Sequence, residues 1–351
     1  MGVSRMIAVH VSLILFLVFA IGLVFALTNG LHDASSVVAT FIVCDAATPK
    51  QAIGLASAFG LLGAVFGGSQ VASTISKVID LPANTALLPV LLAAILGAAA
   101  WNLITWRLGL PSSSTHALVG GIIGAVLVSS GYRHVLWGWN ELTGASHQLT
   151  GIAEIVAALL FSPLLGFALA FVLEKVMNLL LRNARFSINT RIRRIQWAIA
   201  ACLAFSHGAN DTQKIIGLFT LALAAGGGTV ISTAPLWVRI CGGTVMFIGT
   251  MLGGWSIMKT VGRGIYNIRP IHSLNSQLAS VGSILLATAF GAPVSTTHVV
   301  VGSVMGVGAA DEYRMVHWAI VKDIIVAWVI TIPLSAAVSA SIYALFAFIF
   351  K

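Results

Sequence analysis

Long apolar runs alternate with short polar or glycine-rich segments along the whole chain. A helix needs about 20 mostly apolar residues to cross a bilayer. The runs near 6 to 28, 52 to 76, 84 to 106, 151 to 179, 195 to 222, 236 to 258, 273 to 291 and 318 to 350 have that length. The pattern predicts eight or more crossing helices. Two further segments, "GLPSSSTHALVGG" (109 to 121) and "GAPVSTTHVVVGS" (291 to 303), carry a proline near their start and continue into an apolar stretch. At about 15 residues that stretch suits a broken or re-entrant helix. The expected fold is an all-α polytopic membrane protein with about ten membrane elements. The run at 6 to 28 follows Arg5 but exceeds the apolar core of a secretory leader, about 7 to 15 residues, so it is expected to be retained.

Composition removes the soluble alternatives. Of 351 residues, 58% are hydrophobic and 8% charged, with a mean hydropathy of +0.99, whereas soluble domains are about 25% charged. The net charge of +9 resembles that of a nucleic-acid binder, but the excess sits mainly in connecting loops. The stretch "LRNARFSINTRIRR" (181 to 194) alone holds five arginines, which marks a cytoplasmic loop. The expectation is a multi-pass plasma-membrane protein with no nucleic-acid partner. Cys44, Cys202 and Cys241 have neither disulfide-framework nor metal-site spacing.

The chain repeats itself. "NGLHDASSVVAT" (29 to 40) aligns with "HGANDTQKIIGL" (207 to 218), placing Asp33 on Asp211 at an offset of 178; the two proline segments align at 182, placing His116 on His298. A weaker echo relates "EIVAALLFSPLLG" (154 to 166) to "DIIVAWVITIPLSA" (323 to 336). The expected domains are a first transmembrane repeat at 1–180, a basic cytoplasmic linker at 181–194 and a second repeat at 195–351. Corresponding loops differ in charge: "KTVGRGIYNIR" (259 to 269) has three basic residues while "SKVIDLPAN" (76 to 84) is balanced. Opposite loop orientation is the mark of an inverted repeat, a plan of secondary transporters whose site lies between the halves.

Only ten acidic residues exist. Asp33 and Asp211 recur at matched positions in apolar surroundings, where a carboxylate is costly and functional by default. Each must be protonated or bind a cation. His32 and Asn210 precede them and can coordinate or relay, and Asn29 joins this cation-coupling set; Lys214 stands beside Asp211. Ser113, Ser114 and Thr115, with Ser295, Thr296 and Thr297, place hydroxyls where a helix exposes its first N–H groups, which is an anion site. The competing reading is a plain helix cap. Two copies, each matched to an upstream Asp motif, favour a two-sided anion clamp. Because Ser112 aligns with Val294, the clamp is expected to be richer in donors from the first half.

These motifs resemble the inorganic phosphate transporter (Pit) family over nearly the whole chain. "GLHDASSV" (30 to 37) and "GANDTQKI" (208 to 215) occupy the places of its duplicated G-x-N-D-x-x-N-A signature, and the P-S-S/T-T-H segments match its second repeated element. The wording is similar to the bacterial low-affinity, proton-coupled branch. His32 and Ser36 replace signature asparagines, which alters the cation shell of the first half. The resemblance implies a non-enzymatic permease importing phosphate, free or as a divalent metal–phosphate complex, with H+ as coupling ion and Na+ as the alternative. It adds Gln213 to the phosphate-binding set and leaves a homodimer open. The metal is unspecified and no other cofactor is implied. Two rival readings are a sulfate permease of the same family and, more distantly, an intramembrane hydrolase using Ser114, His116 and Asp33.

Overall fold

The computed structural model describes residues 2–110, 112–144, 147–227, 234–253, 258 and 260–349. Pro111, the 228–233 part of the loop at 224 to 235, the 254–257 part of the run at 236 to 258, and Lys259 lie outside the described residues. Twelve α-helices carry the described chain: α1 Gly2–Val43, α2 Pro49–Phe66, α3 Gln70–Ser76, α4 Leu87–Arg107, α5 Ser114–Ser129, α6 Trp139–Thr143, α7 Gly151–Leu180, α8 Ile188–Gly227, α9 Leu236–Leu252, α10 Pro270–Ala289, α11 Thr296–Glu312 and α12 Trp318–Ile349. The single β-feature among the described residues is an isolated bridge, Ile79–Val135.

Several boundaries differ from those the hydropathy predicts. The run at 6 to 28 does not end before the aspartate motif: α1 continues through Asp33 as one 42-residue helix, about 60 Å long at 1.5 Å per residue. Likewise α8 has 40 residues and starts at Ile188, inside the predicted linker, which shortens the non-helical connection. The run at 52 to 76 is broken at 67–69 into α2 and α3. Gly67 and Gly68 (φ +91°) make this break, since a positive φ is strained with any side chain.

Five described helices are long and apolar enough to cross a membrane: the Val11–Val43 part of α1, α2, α4, α7 and α12. This is fewer than the eight expected. The long helices α8 and α10 fall short because they carry polar side chains, and those side chains are buried: Asn210, Asp211, Gln213 and Lys214 on α8, Asn275 and Gln277 on α10. Polar groups that face protein lower a helix's mean hydropathy without touching lipid. The outer surface keeps large apolar side chains, among them Phe66, Phe161, Val329 and Phe348.

The packing follows the sequence echoes. α1 packs on α9 and α8 on α2; α4 packs on α5 and α10 on α11; α5 packs on α12 and α11 on α7. Elements from opposite ends of the chain are thus exchanged, α12 lying on α5 and α7 on α11. A further echo appears at the ends of α5 and α11, where the 3₁₀ turns Tyr132–His134 and Tyr313–Met315 follow. In both, a tryptophan indole donates back to the tyrosine carbonyl: Trp137 to Tyr132 at 2.9 Å and Trp318 to Tyr313 at 3.1 Å.

Candidate functional site

α5 and α11 begin alike. Ser113 and Ser295 stand at the N-caps in extended conformation, and their side chains accept from the backbone N–H of His116 (3.2 Å) and His298 (3.3 Å). The capping reading therefore holds for the first hydroxyl of each triplet. Ser113→Ala and Ser295→Ala are each expected to lower stability by about 1 kcal/mol, read as thermal unfolding of the purified protein in detergent.

Of the other four hydroxyls, Ser114, Thr296 and Thr297 bond the two aspartates, and Thr115 meets the Lys214 ammonium. Asp33 accepts from Ser114 at 2.5 Å on one oxygen and from Thr297 at 2.8 Å on the other, so both helix starts hold one carboxylate. Thr297 also lies 3.2 Å from Ser36 Oγ. His32 Nδ1 is 3.4 Å from Asp33 Oδ1. Asp211 accepts from Thr296 at 2.6 Å and pairs with His207 Nδ1 at 2.6 Å. It also forms an ion pair with Lys214, whose ammonium donates to Thr115 Oγ1 and to the Val294 carbonyl, both at 2.6 Å. Thr115 in turn donates to the Val294 carbonyl at 3.1 Å. The centre is closed to solvent: Asp33 is 2% exposed, and Asp211 and Lys214 are each 1% exposed.

The glycine three residues before each aspartate has a steric reason. A Cβ on Gly30 would lie 1.8 Å from the Met246 carbonyl oxygen of α9, and one on Gly208 2.0 Å from the Gly60 carbonyl oxygen of α2. The absence of a side chain lets α1 and α8 approach the neighbouring backbones, which sets where both carboxylates sit.

Other sequence candidates fall elsewhere. Asn210 does not join the Asp211 carboxylate: its amide donates to Thr288 Oγ1 (2.9 Å) and the Ala292 carbonyl (3.1 Å), and its oxygen accepts from Val294 N (3.2 Å). It clasps the turn that delivers α11. Gln213 bonds backbone only, accepting from Val71 N (2.9 Å) and Ala72 N (3.3 Å) and donating to Gly67 O (2.8 Å) and Ala209 O (2.5 Å). It splices the α2–α3 break rather than facing the clamp. Asn29 is buried with its Oδ1 unbonded. Ser112 turns to Thr105 Oγ1 (3.1 Å) and His32 Nε2 (3.4 Å), so the expected surplus donor of the first half serves the histidine instead.

The sequence reading left Lys214, His207 and His298 out of the coupling and binding sets and used His116 only in the hydrolase alternative. His116 and His298 meet with ring centroids 4.6 Å apart, and His298 stacks on Trp328 at 3.7 Å. Their recurrence at the 182 offset was the available signal. Ser114 donates directly to Asp33, and His116 Nδ1 has no hydrogen-bond partner, so Ser114, His116 and Asp33 do not form a relay. Of two cavities, one of about 560 Å³ beside Tyr132 and Trp139 lies away from this centre, while an apolar recess of about 490 Å³ beside Phe161 and Phe290 reaches Val294 at its edge.

A separate buried cluster ties α7, α10 and α11 together. His272 lies 3.2 Å from Asp311 and 3.6 Å from Glu174, which accepts from Asn275 at 2.8 Å. Tyr266 donates to Asp311 at 2.7 Å, and Arg269 pairs with the same carboxylate. Burial, followed by the Asp311 hydrogen bond, pushes the Tyr266 hydroxyl up to about 12, so it remains a donor at neutral pH. Arg269 is largely exposed, so Arg269→Ala is expected to change stability by less than about 1 kcal/mol.

Residues 29–339 match the profile of the family described as "Phosphate transporter family". The chain belongs to the phosphate transporter family. Its relatives in this family include a Bacillus subtilis protein named "Probable low-affinity inorganic phosphate transporter", 38% identical over 95% of this chain and 97% of the relative. A Rhizobium meliloti protein of the same name is 35% identical over 92% and 94%. A solved structure entitled "The sodium-dependent phosphate transporter" superposes with a TM-score of 0.85 at 27% identity, covering 96% of this chain and 99% of that one. Members of the family are transporters, not enzymes, which removes the hydrolase reading.

Proposed function

We propose that this chain is a cation-coupled symporter that carries inorganic phosphate into the cell, with H+ as coupling ion. The observation that carries the reading is that Ser114 and Thr297, one from each helix start, both donate to Asp33. A hydroxyl has one proton to donate, so it serves either the carboxylate or an anion. Protonation of Asp33, or a cation bound to it, frees the two O–H groups to turn to a tetrahedral oxyanion beside the N-termini of α5 and α11. Anion binding then depends on the cation, and by linkage the reverse holds.

Energetics require the coupling. Moving HPO4 2− against an inside-negative potential costs about 4.6 kcal/mol per 100 mV, at about 2.3 per charge. Two or more protons offset that, as does one proton with a neutral metal–phosphate complex. The paired element contacts and the two offsets support two inverted repeats, 1–180 and 195–351, moving about the site. We place the chain in the plasma membrane with the basic stretch 181–194 on the cytoplasmic side, as its five arginines favour.

The test is uptake of labelled phosphate into proteoliposomes under an inward pH gradient and, separately, an inward Na+ gradient. Accumulation under the pH gradient alone, with little competition by sulfate, is expected. Sulfate uptake exceeding phosphate uptake would turn the reading to the sulfate permease, and accumulation under the Na+ gradient alone would reassign the coupling ion.

A further inference from the structure

We propose that the Lys214 ammonium is a tethered cation. It permanently fills, in the Asp211 half of the site, the cation position that stays exchangeable beside Asp33. This deepens the symport reading above and rests on it.

The shell around the ammonium is built of oxygens. Lys214 Nζ meets the Asp211 carboxylate, the Thr115 hydroxyl and the Val294 carbonyl, so its three donors face three acceptors. Carboxylate, hydroxyl and backbone carbonyl are also the ligand set of a hard alkali cation. The ammonium is held as such an ion would be, except that a four-carbon stem anchors it to α8.

The echo in the first half provides an internal comparison. The offset of 178 carries Asp211 to Asp33 and Lys214 to Ser36, and the offset of 182 carries Thr115 to Thr297. The placement recurs there: Thr297 lies 3.2 Å from Ser36 and donates to Asp33 (2.8 Å), where Thr115 accepts from Lys214 and reaches Asp211 only through that ammonium. What differs is the charge. Among the described residues no ammonium or guanidinium lies within ion-pair distance of Asp33, whose only ion-pair neighbour is His32 at 3.4 Å. One half therefore carries its own cation and the other takes one from solution.

The test is ²²Na+ binding to purified protein in detergent. Lys214→Ser empties the tethered position, and it is expected to bind one more Na+ than wild type, the added site being lost in the double variant Asp211→Asn/Lys214→Ser. In proteoliposomes under a fixed pH gradient, phosphate uptake by Lys214→Ser is expected to fall at least tenfold when choline replaces Na+ and to return with Na+. Where Lys214→Ser is not recovered folded, Lys214→Gln keeps the side-chain length, and Na+ should raise its thermal unfolding temperature only while Asp211 is present. Folded Lys214→Ser or Lys214→Gln that gains no Na+ binding, or Lys214→Ser that transports in choline at the wild-type rate, overturns the inference. If wild type moves no phosphate at all, the symport reading fails, while the ²²Na+ measurement still decides the role of Lys214.

Discussion

Asp211→Asn is expected to abolish concentrative phosphate uptake and to destabilise the protein by about 3–5 kcal/mol. The carboxylate is buried and faces the Lys214 ammonium, His207 and Thr296. Removing its charge leaves an ammonium in low dielectric with only neutral oxygens around it, and a broken buried pair costs about that much. Removing both charges together is far milder, because no uncompensated ion remains. Asp211→Asn/Lys214→Met should therefore regain most of the stability of wild type yet still fail to accumulate phosphate. Thermal unfolding in detergent measures the first effect and proteoliposome uptake the second. A single variant that keeps both concentrative uptake and its pH dependence would remove Asp211 from the coupling machinery.

Gly208→Val carries the second large effect, and it acts through packing alone. The first atom added would lie 2.0 Å from the Gly60 carbonyl oxygen, and neither α2 nor α8 can yield locally because they pack along much of their length. Overpacking of this kind costs about 1–3 kcal/mol or more even where side chains can adjust, and here the obstacle is backbone. The expected result is loss of folded protein on size-exclusion chromatography. Gly30→Val should behave alike against Met246. Gly54→Ala on α2, where an added Cβ meets nothing within 4 Å, is the control and should fold normally.

The two positions also show how the sequence could be read. A glycine three residues before each buried aspartate is visible in the aligned repeats. The alignment could not say that the glycines serve α2 and α9, because those helices lie elsewhere in the chain. The same division runs through the hydroxyl triplets. Composition and duplication singled out Ser114, Thr115, Thr296 and Thr297, while only the fold showed that Thr297 crosses to the aspartate of the other half and that Ser113 and Ser295 are spent on capping.

Residue type misled at Asn210 and Gln213. Both sit within the aspartate motif, and an amide beside a carboxylate is a fair cation or anion ligand by its chemistry. Apart from the Thr288 hydroxyl and Ala209 O, their partners are backbone groups at 67–72 and 292–294, segments far away in sequence whose helix breaks leave N–H and C=O groups that need partners inside a protein. Lys214 was legible only in part. The sequence placed it beside Asp211 as a basic partner, which the ion pair bears out, but its burial with three oxygens became visible only when α5, α8 and the turn before α11 were brought together.

By itself, then, the sequence determined that the chain is a helical membrane protein, and its repeated motifs singled out two aspartates and two hydroxyl triplets as the candidate site. Those properties are written in local composition and in spacing, which one strand of text preserves. The tertiary structure decided which hydroxyl meets which carboxylate, which polar groups merely mend broken helices, and where the fixed ammonium sits. Those contacts join residues about 80 to 260 positions apart, and their geometry follows from how whole helices pack, which no local pattern encodes.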